Sequence, residues 1–183
     1  MAPTEISLLA DYNAWMNAKL YAAAASLPAH ELALDRKAFF GSILGTLNHL
    51  VIADTIWLKR FTTHPAQFAS LAPIAGLPAP EALDDILFGD IAALGARRKL
   101  LDDVITQWAA ELTETHLQCV FHYRNMKGVP GQKRFSSVLM HFFNHQTHHR
   151  GQLTTLLSQA GVDVGVTDLL TRVPNEIETP EGL

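Results

Sequence analysis

Four histidines, His141, His145, His148 and His149, stand inside one apolar run from Phe135 to Leu157 whose spacing is that of a helix. At about 100° of rotation per residue, Val138, Phe142, Leu153, Leu156 and Ala160 share one stripe. His145 and His149, one turn apart, fall on or beside that stripe, with His141 and His148 at its border. An apolar stripe is what a helix buries, and two imidazoles placed there cost stability unless each nitrogen finds a partner. Such a helix needs other helices around it and something inside to satisfy its histidines.

The rest of the chain supplies the helices. Thr4 to about Ser26 carries Leu8, Tyr12, Trp15 and Leu20 at helical spacing and stops at Leu27-Pro28, because the residue before proline avoids the α region. A second helix is predicted from Lys37 to Phe61, capped by Asp35, with Phe39, Ile43, Leu50, Ala53, Trp57 and Phe61 on one face. Thr62 to Pro80 is broken by prolines and Gly76 and reads as a long connection. A third helix is predicted from Glu81 to Thr113, with Ile86, Leu94, Leu101, Ile105 and Trp108 for packing.

Leu117 to Tyr123 and Gln132 to Phe135, separated by the turn-rich NMKGVPG, predict a small hairpin. Ser136 or Ser137 would then cap the histidine helix and Gly161 would end it in a left-handed conformation, followed by one helical turn at Thr167 to Thr171 and a frayed end. Four amphipathic helices bury their stripes most simply as an all-α four-helix bundle, here with a β-hairpin before the last long helix, and one domain over residues 1–183 is expected.

Charge and composition narrow the function. A net charge of −4 with scattered basic residues gives no electrostatic reason to bind nucleic acid. The single Cys119 has no internal disulfide partner, no apolar run is long enough for a membrane span, and MAPTEISLLADY lacks the regions of a signal peptide, so a cytoplasmic location is expected.

Chemistry concentrates on histidine. The i, i+4 pair His145 and His149 sets two nitrogens on one face at the separation a single ion needs. His49, at the flank of its own helix, could turn inward and complete three ligands with positions left open, a donor set that suits zinc, nickel, cobalt or ferrous iron. The competing reading is three buried histidines satisfied by carbonyls or hydroxyls. Asp54 reads either as a solvated carboxylate or as an acceptor that orients a ligand imidazole or the adjoining helix. Gln152 and His141 stand near the metal-facing arc and could position or protonate a substrate, as could Tyr12. Trp57 and Trp15 read as core, Cys119 as a small hydrophobe, and His30, His64, His116 and His122 as solvated.

Three segments, YNAWMNAKL at Tyr12 to Leu20, NHLVIADTIWLKR at Asn48 to Arg60 and NHQTHHRGQL at Asn144 to Leu153, resemble the DinB family of the DinB/YfiT-like superfamily, in the family's order along the chain. The resemblance implies a four-helix bundle, commonly a homodimer, with a divalent metal, typically nickel or zinc, held at the positions matching His49, His145 and His149. It also implies a small-molecule substrate, since relatives include thiol S-transferases and an isomerase that use low-molecular-weight thiols. Many members lack an established activity, so two functions are expected: a metal-dependent enzyme, which the resemblance implies would be a thiol S-transferase, isomerase or hydrolase, and a non-catalytic metal-binding dimeric bundle with a structural or stress-response role.

Overall fold

The computed structural model describes residues 1–175. Its long helices are α1 (Pro3–Ala25), α3 (Ile43–Phe61), α5 (Ile91–Glu111) and α7 (Phe135–Gln159), with the one-turn helices α2 (Ala29–Ala33), α4 (Ala72–Ala75) and α6 (Glu114–Gln118) in the connections. Helix α1 packs against α5 and α7, and α3 packs against the same two. The four rods close into the expected bundle. None of the described helices is long and apolar enough to cross a membrane.

Apolar faces meet as their periodicity requires. Val138, Phe142, Leu153 and Leu156 of α7 are buried, as are Ile43, Leu50, Ala53 and Phe61 of α3 and Leu94, Leu101, Ile105 and Trp108 of α5. Phe61 is the hub: its ring stacks on Trp108 at 4.9 Å and meets the edges of Phe121, Phe135 and Phe142 at 5.5–5.8 Å. Phe121 reaches this cluster from the hairpin, in which β1 (Val120–Arg124) pairs antiparallel with β2 (Pro130–Arg134), Val120 opposite Arg134 and Arg124 opposite Pro130. Gly128 at φ +77° closes the turn, and the Asn125 carboxamide oxygen accepts from the backbone N–H of Lys127 and Val129. The turn is therefore rigid where it overhangs the bundle.

Helix boundaries differ from the periodicity in two places, for the same reason. Helix α3 begins at Ile43 rather than Lys37, because Lys37 and Gly41 take positive φ of 56° and 72°, the Arg36 N–H bonds the Gly41 carbonyl, and Ser42 caps the first turn through the Gly45 N–H. Helix α5 begins at Ile91 rather than Glu81, with Asp90 capping the Ala93 N–H at 2.8 Å. Residues 81–90 are instead tied to α3, where the Asn48 side chain donates to the Phe88 carbonyl and accepts its N–H, both at 3.0 Å. Phe39 and Ile86, expected on helix faces, consequently lie in loops and are exposed. Helix α7 starts at Phe135 directly from β2, with no serine cap, and Gly161 ends it at φ +80°. The turn expected near Thr167 is a 3-10 turn at Leu169–Arg172, and the frayed end lies outside the described residues.

At Gly45 the preceding loop lies close against α3, since a Cβ there would overlap the Phe40 carbonyl oxygen. Alanine has the higher helix propensity by about 1 kcal/mol, but the obstacle is backbone and must move as a unit. Gly45→Ala is expected to lower stability by about 1–3 kcal/mol, read as a shifted urea midpoint, and to displace Phe40 from the site described next.

Candidate metal centre

Where α3 and α7 cross, the ring nitrogens of His49, His145 and His149 converge, one from each ring lying within 4.8 Å of the other two. Their helices explain it. His145 and His149 are one turn apart on the buried side of α7, and α3 lies against that side and turns His49 into the contact. Nε2 of His49 stands 3.3 Å from Nε2 of His145. Two nitrogens each about 2.0–2.1 Å from one tetrahedral ion are about 3.3–3.4 Å apart, so this pair fits a shared cation with little movement.

Hydrogen bonds on the far sides of two rings assign the tautomers. His49 donates Nδ1–H to the Leu83 carbonyl at 2.8 Å, and His149 donates Nδ1–H to Oε1 of Gln152 at 2.8 Å. Each neutral ring is left with an unprotonated Nε2, which is the arrangement that outer partners impose on metal-binding imidazoles. Phe40 lies flat on His49, ring centres 3.7 Å apart, and its edge meets His149 at 5.5 Å. Burial pushes His49 down to about 4 and His145 down to about 3, and it also lowers His149, with mutual repulsion between the rings adding to the effect for His49 and His145. All three are neutral at neutral pH, with lone pairs free for a cation. Together these donors fit a divalent ion.

The centre opens into a cavity of about 310 Å³ whose walls include Trp57, Arg60 and His141 and whose rim includes Lys127. Trp57 is half-buried and lines this space, correcting its expected place in the core. His141, exposed, meets the Trp57 ring edge-on at 5.3 Å and lies within reach of the cavity. Gln152 is not aimed at an open position: its oxygen is taken by His149 and its nitrogen faces His148, so it orients the His149 ring. Tyr12 is not brought to the histidines; its hydroxyl donates to the Thr167 carbonyl at 2.6 Å beside a separate groove between α1 and α7.

Asp54 is buried, and no imidazole of the centre bonds to it. Its Oδ2 accepts from Arg98 of α5 at 2.6 Å and from Gln146 of α7 at 2.9 Å, so it orients the adjoining helices. His64, expected in solvent, is buried; its Nδ1 accepts from the Ala66 N–H, leaving Nε2–H to donate to Cys119 Sγ at 3.1 Å. Sequence reasoning missed Phe40 and Leu83, which act through a ring face and a carbonyl from outside the regular elements and leave no periodic signal.

A helical bundle whose facing helices converge three imidazoles, two of them lining a cavity, defines a class of protein able to hold a metal ion. The chain belongs to the DinB family, whose model matches residues 1–179. It is 25% identical over 160 residues to Protein DinB of Bacillus subtilis (strain 168), covering 87% of this chain and 88% of that one. No solved structure matches.

Proposed function

We propose that this protein is a metal-dependent enzyme in which His49, His145 and His149 hold one divalent cation, nickel or zinc, and that it acts on a small thiol-bearing substrate as an S-transferase. The observation that carries this reading is a donor set of three, with His49 and His149 already oriented by Leu83 and Gln152 and with His49 and His145 lining a cavity. Structural sites are closed by four protein ligands, whereas catalytic sites keep a position open to a substrate. Histidine donors suit nickel and zinc alike. A bound cation supplies Lewis acidity, which lowers the pKa of a thiol held beside it and makes it a nucleophile at neutral pH.

The chain's own residues do the remainder. Leu83 and Gln152 hold the rings, Phe40 excludes water from one side of His49, and Trp57 offers a flat apolar wall for the substrate. His141 stands where it can exchange a proton with a group in the cavity; partial desolvation of its ring on the cavity side and the nearby Arg60 cation lower its pKa and keep it a base at neutral pH. Cys119 is a poor nucleophile, since burial raises its pKa and His64 occupies its sulfur.

The experiment is metal analysis of the purified chain by mass spectrometry followed by conjugation assays with a panel of low-molecular-weight thiols and an electrophilic acceptor. One metal per chain and turnover that chelation removes are expected. Stoichiometric metal without turnover of any thiol, together with a large fall in melting temperature on chelation, would instead identify a structural centre.

A further inference from the structure

The cavity that His49 and His145 share runs past Trp57 to Arg60. Arg60 is half-buried, its guanidinium carbon 4.6 Å from the centre of the Trp57 ring and 5.6 Å from that of Tyr123. Among the described residues Arg36, Arg98 and Arg172 hold ion pairs with carboxylates, and Arg124, Arg134 and Arg150 donate to other oxygens, whereas Arg60 has no ion pair and no side-chain hydrogen bond. Among the described residues no carboxylate lines the cavity, or the adjoining groove along Lys59, Arg60 and Arg124. A partly desolvated guanidinium without a counter-ion is costly. With aromatic rings beside its face, the in-plane N–H fork is the part left to bind, and that fork matches a carboxylate. Lys127, held in place by the Asn125 turn at the cavity rim, adds a second positive charge.

We propose that the cavity takes an elongated small molecule with a carboxylate at one end, received by Arg60, and with its other end at the histidines; only the identity of that second end as a thiol rests on the function proposed above. Arg60 follows His49 by eleven residues on α3, about 16 Å of helix rise, and its side chain lies over Trp57 three residues earlier, which shortens the gap. The carboxylate and the sulfur must therefore be several bonds apart. A volume of about 310 Å³ equals that of roughly ten liquid waters, enough for such a chain and too little for a macromolecular segment.

The test compares 6-mercaptohexanoate with its neutral counterpart 6-mercaptohexanol by titration calorimetry, on the zinc-loaded and the metal-free full chain. The carboxylate is expected to bind about tenfold more tightly in both states, one charge-assisted bidentate contact being worth about 1.5–3 kcal/mol. In Arg60→Gln this preference should vanish, and in Arg60→Lys, which keeps the charge but not the fork, it should be intermediate. Equal affinity of the two ligands for the wild type, or an undiminished preference in Arg60→Gln, overturns the assignment. A preference that depends on Arg60 while neither ligand responds to zinc upholds it and counts instead against the thiol chemistry at the histidines.

Discussion

Replacing His145 by alanine is expected to reduce the metal content of the purified protein from about one ion per chain to background, with the helical content unchanged. Loss of an outer partner that merely orients a ligand typically costs 10–100-fold in metal affinity, and loss of a ligand should exceed that. His145 is one corner of a compact triangle of rings, its centre 5.2 Å from His49 and 4.4 Å from His149, with His49 and His149 4.4 Å apart, so its removal leaves two donors where three are needed to enclose an ion. The fold should survive because the ring is only half-buried and contributes little to the aromatic hub around Phe61. Mass spectrometry of protein purified in parallel decides it. Equal metal in wild type and variant would eliminate the three-histidine centre.

A second large effect is expected at Arg98, which lies in the middle of a polar network spanning all four long helices. Arg98 pairs with Asp54 at 2.6 Å and Asp102 at 3.0 Å; Asp102 also accepts from Asn13 and Asn17 of α1, and Asn13 in turn accepts from Arg150 of α7. Removing one partner of a buried ion pair costs about 3–5 kcal/mol because the remaining charge is left uncompensated. For Arg98→Met two carboxylates remain. At about 2–4 °C per kcal/mol for a chain of this size, a fall in Tm of about 6–20 °C is expected by calorimetry.

Acidity should repair part of that loss. Burial raises the pKa of Asp54 and pushes Asp102 up to about 6 despite the Arg98 cation, above the 3.8 of a free carboxyl. Between those values the folded chain holds protons that the unfolded chain has released, so this contribution to stability is present at low pH and is lost as pH rises through 6. Without the cation both pKa values climb further, and Arg98→Met should therefore lie closer to wild type at pH 5 than at pH 7.5. A deficit that widens on acidification would show that the carboxylates are not the source of the instability.

Much of the fold was legible because amphipathic periodicity is a local property. The α7 stripe, the proline stop near residue 28 and the glycine cap at residue 161 each depend on neighbours within a few positions, and the structure reproduces them. Helix starts were less legible. Lys37 to Phe40 and Glu81 to Asp90 can be written on a helical wheel, but the positive φ of Lys37 and Gly41 and the bonds from Asn48 to Phe88 draw those segments out of helix. Bonds between distant segments carry no periodic signature, which is also why Tyr12, whose hydroxyl bonds the Thr167 carbonyl, could not be placed from the sequence.

The spacing of His145 and His149 by itself determined that two imidazoles would share one buried face, since one helical turn separates them whatever surrounds the helix. That His49 joins them was decided by the tertiary structure, through the contact of α3 with α7 and the Leu83 carbonyl that holds the ring. Placement of Arg60 and Lys127 along one cavity was decided the same way, by the hairpin folding back over α3. A helix determines relative angles along its own axis, whereas the distance between two helices depends on every side chain packed between them.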